Sequence, residues 1–553
     1  MESQIAKIDH PEPMIHHGRR RWGALVMVCL AVTVIVMDGS IVNVALPTLI
    51  KTLDGTSNSQ LQWIVDAYIL SFAVLLLTSG SSADRFGRRR LLMIGLTIFA
   101  AVSVGAAFSK SATQLIFWRA AMGVGAAMIF PATLAILTDA FPEPRLRRMA
   151  IAMWAGCSGL GVAIGPVAGG WLLTHYHWGS IFFINVPLIA VTLLGGALCI
   201  KESRDPEHPA FDFVGNALAI LGLIALIWGL IEGPELGWLS PKILASLASA
   251  AVLLTGFLIW ESKVKSPMLD IRLFRNRQFA GGCIAITTAF FGLFGFVFMV
   301  TQFFQFIYGY DALGAGLRTL PFAGFIVLGS GVADRFGAFF GARLISPAGL
   351  VLMGFGFLLV TQDTAQTPYL TLVYQMGFLG VGLGMVNASA TNSIMSALPS
   401  AKAGVGSSVN DTARELGGTL GVAIMGSLFN VVYRSDITSG FEGSPIPVEA
   451  QETLRDSVGM AMGVIDQMNQ TAGPIAAQAV RTPVQDAFIG GFHASSLLAG
   501  IAALLGGVAV FFFLPPNSHT TEEQCSDQGS HDPDPQQITS GQSVVNRTRS
   551  EQL

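Results

Sequence analysis

Charge buried in hydrocarbon is expensive, and the side chains that bear it usually mark the path of an ion or a ligand. Three such residues stand inside long apolar runs early in this chain: Asp38, Asp66 and Arg119. At 1.5 Å of rise per residue, each lies roughly 9–12 Å below the outer end of its run. They share a depth and can neutralise one another in part. Two carboxylates against one guanidinium leave one carboxylate short of a partner, and such a group takes up a proton readily in a low dielectric. Asp38 is the candidate to bind an exchanged proton or the cationic part of a ligand, with Asp66 and Arg119 tuning it. A static network that fixes three helices together is the other reading of the same residues.

Two further patterns could do mechanical work. The pentapeptide Ala83-Asp84-Arg85-Phe86-Gly87 recurs unchanged as Ala333-Asp334-Arg335-Phe336-Gly337. The first copy opens at Gly80 and runs on into Arg88, Arg89 and Arg90. Asp84 falls at a helix end, where a carboxylate can cap the next helix or hold an arginine of another segment. Candidate partners are Arg414 for Asp84, and Arg147 or Arg148 for Asp334. A basic loop with a tight turn at Gly87 is the plainer account. The second pattern is Gly161-x-x-x-Gly165-Pro166-x-x-Gly169-Gly170. Gly161, Gly165 and Gly169 share one helix face and permit close helix contact, while Pro166 bends the helix.

The elements that must position these residues are membrane helices. Of 553 residues, 52% are hydrophobic and only 12% charged, about half the charge of a soluble domain. Such a chain cannot cover itself with polar surface. Runs of about 20 apolar residues, the length of one crossing, fall near 23–46, 60–80, 91–109, 113–138, 149–172, 179–200 and 213–232. They continue near 242–260, 279–307, 315–333, 343–361, 368–392, 404–432 and 487–514. The first run is too long for a signal peptide and lacks a cleavage site before Asp38. Alternate connections hold 23 of the lysines and arginines against 6 in the others, by count along the chain. The positive-inside rule then places both termini in the cytoplasm and makes the span number even.

The two pentapeptides come after spans 2 and 10, eight spans apart where two six-helix halves would put them six apart. An inserted pair at 213–260 accounts for the difference. This organisation gives a cytoplasmic segment 1–22, a bundle 23–200, the pair, and a second bundle 279–514. The bundle 279–514 carries an external loop, 433–486, whose Leu454, Val458, Met462, Ile465 and Met468 suit an amphipathic helix at the membrane surface. Residues 516–553, rich in Ser, Gln, Asp and Pro, suit a disordered cytoplasmic tail. The five cysteines, Cys29, Cys157, Cys199, Cys283 and Cys525, have neither disulfide nor metal spacing. Seven phenylalanines between Phe290 and Phe304 crowd span 9, where they line a cavity or pack on lipid and neighbouring helices. There is no phosphate-loop motif and no clustered nucleophile, base or metal set, so neither an ATPase nor another enzyme is expected. A net charge of −3 offers nothing to a nucleic acid.

The loop from Gly80 to Arg90 resembles the signature between helices 2 and 3 of the major facilitator superfamily. The pattern from Gly161 to Gly170 resembles the antiporter motif of its drug:proton exchangers. Met37-Asp38-Gly39-Ser40, Gln62-Trp63-Ile64-Val65-Asp66, Phe117-Trp118-Arg119, Phe183-Ile184-Asn185-Val186-Pro187 and Asn410 to Gly418 are similar to the fourteen-span drug:proton antiporters. The match runs from about 23 to 514, nearest the quaternary-ammonium and multidrug exporters. The resemblance implies an all-α fold of two six-helix bundles plus an inserted pair. It implies gating loops at Gly80, Asp84, Arg85, Gly87, Arg88, Asp334, Arg335, Gly337 and Arg414, forming a cytoplasmic latch that breaks in each cycle. It implies export of lipophilic, cationic drugs from a bacterial inner membrane by a monomer that uses the proton gradient and no cofactor. One departure is that span 10 holds no acid before Asp334, which argues against a strict preference for divalent cations. Export of an endogenous lipid, siderophore or secondary metabolite is the alternative, and a non-transporting receptor or scaffold a more distant one.

Overall fold

The computed structural model describes residues 14–53, 58–204, 212–264, 267, 269–399, 402–441, 454–455, 458–471 and 473–515. The tail 516–553 expected to be disordered, and most of 442–457, lie outside the described residues. Among the described residues, fourteen helices are long and apolar enough to cross a membrane, both members of the inserted pair included. Helix is the only way an isolated segment can satisfy its own backbone in lipid. The connections supply the remaining partners. Ser111, Asp212, Ser240, Asn276 and Asp311 each accept a backbone N–H at the start of the adjoining helix, a contact commonly worth about 1 kcal/mol.

The first half comprises α1 (Met14–Thr52), α2 (Asn58–Phe86), α3 (Arg88–Ala107), α4 (Ala112–Ala140), α5 (Pro144–His175) and a sixth crossing made of α6 (Ser180–Phe183) and α7 (Asn185–Cys199). The inserted pair is α8 (Phe213–Leu236) and α9 (Pro241–Lys263). The second half comprises α10 (Arg277–Gln302), α11 (Ala312–Phe340), α12 (Ala342–Val360), α13 (Tyr369–Ser396), α14 (Ala403–Gly440) and α16 (Pro474–Phe513), with α15 (Val458–Thr471) before the last. A π-helical turn, Phe303–Ile307, prolongs α10.

The repeat seen in the pentapeptides extends to the packing. Helix α1 packs on α5 as α10 packs on α14, α2 on α4 as α11 on α13, and α3 on α4 as α12 on α13. Each half has its own buried core, with Phe99, Phe182 and Trp154 in the first and Phe279, Phe357 and Phe488 in the second. The halves meet through α5 on α11 and, reciprocally, α2 on α14. The inserted α8 is pinned to both. Thr78 of α2 donates to Asn216 at 2.7 Å, and Trp238, just past α8, donates to Ser427 of α14 at 3.0 Å.

At the face opposite the basic loops, α14 and α16 run on well beyond the bilayer. Their 38 and 40 residues reach almost twice the ~30 Å hydrocarbon thickness. Helix α15 packs against α16 here, and the Tyr433 hydroxyl donates to the Leu454 carbonyl at 2.8 Å. Leu454, Val458, Ala461 and Ile465 are buried in the core of the second half. The amphipathic pattern is therefore real, but its apolar side is spent on protein and not on lipid. Length explains this: two protruding helices leave apolar flanks that only another helix can cover.

Candidate functional site

The buried charges of the first half form a compact network. Arg119, on α4, donates from Nη1 to Asp38 Oδ2 at 2.6 Å and from Nε to the Ile64 carbonyl of α2 at 3.0 Å. Its guanidinium lies 4.3 Å from the centre of the Tyr68 ring. Asn185, at the start of α7, donates to Asp38 Oδ1 at 2.7 Å. Asp38, Arg119 and Asn185 are all buried, so one polar cluster joins four crossings. Arg119 Nη2 and Asn185 Oδ1 have no hydrogen-bond partner among the described residues. Asp38 and Arg119 hold each other directly, whereas Asp66 is only half-buried. The core of the expected three-member set is thus one carboxylate against one guanidinium, completed by an amide. Asn185 could have been found by asking what else at that depth offers a donor.

The motif on α5 works as close contact. A β-carbon on Gly161 would lie 2.9 Å from the Thr33 carbonyl, and one on Gly165 would overlap Ser40 Oγ and lie 2.8 Å from the Met37 carbonyl. Gly169 meets Ile41 in the same way. These three clamp α5 onto α1, the helix that carries Asp38. Gly170 and Pro166 face the other half, where they meet Leu313 and Gly316 of α11.

The basic face is closed by α2 against α14. Gly80 and Gly404 approach backbone to backbone. Asp84, buried, accepts the Gly404 amide at 2.9 Å and the Val405 amide at 3.1 Å, which caps the start of α14. Arg88 returns from α3 to the same carboxylate at 2.8 Å, with Asp139 3.8 Å away. A carboxylate at a helix N-terminus with an arginine beside it is favourable twice over. Arg414 is not the partner of Asp84. It lies ten residues beyond Gly404, about 15 Å along α14, and donates to Asn387 at 3.3 Å. Its guanidinium also sits 4.6–5.2 Å from the ring centres of Phe290, Trp154 and Phe130. Asp411 and Glu415 are buried beside it, with Asn410 donating to Asp411 at 3.1 Å. This second buried cluster was legible by the same rule that marked Asp38.

The two pentapeptides differ in structure. Gly87 breaks the chain at φ 111° between α2 and α3, whereas Gly337 stays helical and α11 runs on to Phe340. Arg335 is exposed. Asp334, half-buried, feels the positive charges of Arg148 and Arg145 at the start of α5, while Arg147 donates to Ser396 at 3.2 Å. A residue that sequence reasoning passed over completes the first loop. Glu202 accepts the backbone amides of Arg89 and Arg90 at 3.1 and 3.2 Å, and so caps α3 from the segment after α7. A β-carbon on Gly87 would lie 2.6 Å from that carboxylate.

Two pseudo-repeated six-helix bundles, buried charge within both of them and a closed face between them define a membrane transporter. The chain belongs to the Major Facilitator Superfamily, which matches residues 28–422. It is 36% identical to the multidrug efflux pump LfrA of Mycolicibacterium smegmatis, over 76% of this chain and 82% of that one. It is 33% identical to the methyl viologen resistance protein SmvA of Salmonella typhimurium, over 90% and 98%. It is 30% identical to the tetracenomycin C resistance and export protein of Streptomyces glaucescens, over 89% and 91%. Among solved structures, the human organic anion transporter MFSD10 superposes with a TM-score of 0.60 at 14% identity, over 90% of this chain and 99% of that one. The proton:xylose symporter XylE superposes at 0.59 and 13% identity, over 90% and 97%.

Proposed function

We propose that the protein is a proton-coupled antiporter that exports lipophilic compounds, drugs among them, across a cell's inner membrane. It works as a monomer without a cofactor, with the basic face and both termini in the cytoplasm. The observation that carries this reading is the Asp38–Arg119–Asn185 cluster held against the glycine face of α5. In the charged state Asp38 balances Arg119. Taking up one proton leaves the guanidinium uncompensated in a buried site, an imbalance worth several kcal/mol, and α1 must shift to relieve it. Because α1 is clamped to α5, and α5 carries the contact with α11, that shift acts where the two halves separate. Asp38 serves the proton here and not the cationic part of a substrate, since Arg119 and Asn185 hold one carboxylate oxygen each. The relatives named for drug efflux and resistance support the direction of transport.

Everted vesicles test this directly. Addition of a transported dye should dissipate a pre-formed pH gradient with the wild-type protein, and Asp38→Asn should abolish that response at equal membrane levels. A fully active Asp38→Asn variant would remove the cluster from the coupling path.

A further inference from the structure

A cavity of about 100 Å3 lies between the halves, lined by α1, α5, α10, α11 and α13. It touches the α5 motif at Pro166, and its walls include Phe296, Phe322 and Met376. None of its lining residues is charged. Its polar members are Ser40, Thr301, Gln305 and Thr319. Three of these are committed to backbone carbonyls: Ser40 donates to Met37 at 3.0 Å and to Gly161 at 3.4 Å, Thr301 to Val297 at 2.8 Å and Thr319 to Gly316 at 2.8 Å. Gln305 is different. It is half-buried, and its side-chain amide makes no hydrogen bond among the described residues.

The backbone explains why that amide faces the cavity. Gln305 sits in the π-helical turn after α10, a local extra residue that re-aims the adjoining side chains and recurs at functional sites. Phe303 and Phe304, at the start of the turn, are fully buried. Phe303 packs on Phe488 and Phe492, and Phe304 on Tyr308 and Tyr369. These aromatic anchors fix the register, and the turn presents Gln305 beside them.

We infer that this cavity takes uncharged amphiphiles, with a ring body and a hydrogen-bonding oxygen or amide, and that Gln305 is the residue that selects them. The inference rests on the export reading above and narrows its substrate class. A cation placed here loses most of its hydration, and ring faces such as Phe296 and Phe322 return only part of that loss. The charges that adjoin its lining residues along α1 and α11 do not make up the difference. Asp38 lies two residues from Ser40, about 200° around α1, and is held by Arg119 and Asn185. Arg318, beside Thr319, is turned to the Tyr310 ring at 3.6 Å and to the Gly314 carbonyl at 3.0 Å. A neutral ring pays no such penalty, and the free amide offers it both a donor and an acceptor. The volume is below the ~150 Å3 that admits a benzene ring, so a ligand enters only once α5 and α11 have parted.

Equilibrium binding to the full chain in nanodiscs tests this, with radiolabelled chloramphenicol as the neutral probe and tetraphenylphosphonium as the cation. The wild type should prefer chloramphenicol. Gln305→Leu should weaken that binding about tenfold, the effect of one buried hydrogen bond, and leave the cation unaffected. Gln305→Asn, which keeps the amide but shortens its reach, should fall between, and Gln305→Glu should favour the cation. Unchanged chloramphenicol binding in Gln305→Leu, or a wild type that prefers the cation, overturns the inference. Gln305-dependent binding without gradient-driven movement of the same probe in proteoliposomes leaves the selectivity standing and removes the export reading instead.

Discussion

Asp363 lies in the short connection between α12 and α13, 2% exposed. Gln375 donates to its Oδ1 at 2.9 Å, Oδ2 has no partner among the described residues, and His493 bonds its backbone carbonyl at 2.8 Å. Burial pushes this carboxyl up to about 6, and its negative charge is among the influences that raise nearby Tyr308. An acid raised above its ~3.9 in an unfolded chain binds its proton more tightly when folded. Its contribution to stability is therefore full below about pH 4 and lost as pH rises through about 6. Asp363→Asn should raise the thermal midpoint by a few degrees at pH 7.5 and change it little at pH 4.5. Equal shifts at both values would show that the carboxylate bears no strain. Asp38 and Arg119 were legible in the sequence because charge interrupts an apolar run. Asp363 was not, because its position between two spans looks like ordinary loop and its burial depends on where α16 lies.

Helix α5 shows what periodicity does and does not reveal. The glycine spacing announced a close contact, but not that three of the glycines face α1 of the same half while Gly170 faces α11. Gly165→Ala should be the severe substitution, since its β-carbon meets the α1 backbone at Met37 and Ile41 and overlaps the Ser40 hydroxyl. A loss of about 1–3 kcal/mol in stability and of most export is expected from detergent unfolding and vesicle assays. Gly170→Ala should be far milder, because the nearest atoms it meets, at 3.0 Å, belong to the Leu313 side chain. Equal effects would mean that the motif is not a clamp. The repeated pentapeptide teaches the opposite lesson. Identical residues end a helix at Gly87 and continue one through Gly337, because only the first copy meets a capping carboxylate from another segment. The inserted pair could be counted from the sequence, but its grip on α2 and α14, two single hydrogen bonds and the packing of Leu223 and Ile227 on Ala73 and Val74, is announced by no pattern.

For the molecule as a whole, the pseudo-symmetry places the start of α14 against α2 and the start of α5 against α11. Only the first is sealed by a buried carboxylate on helix amides. Asp84→Asn keeps the shape but weakens that cap and its pair with Arg88, so the population should move toward opening at the basic face. In a background stripped of native cysteines, Ser408→Cys should be protected from a membrane-impermeant maleimide and become labelled when Asp84→Asn is added. Unchanged protection in the double variant would show that Asp84 does not hold this face shut. The count of spans and the two halves were readable from apolar runs and the repeated pentapeptide. Which charges meet was not, since Arg414 and Asp84 lie on helices that pack together but not at one depth.

The cap that Glu202 places on α3 bears on how the chain is made. Its partners at Arg89 and Arg90 are synthesised 113 and 112 residues earlier, on the order of 10 s before it at ribosomal speed. Until the sixth crossing has emerged, the first turn of α3 has no carboxylate to close it. The first bundle therefore acquires its finished shape only after all six of its crossings have left the ribosome, and a stall just short of Glu202 would strand a half-built transporter with an open seam.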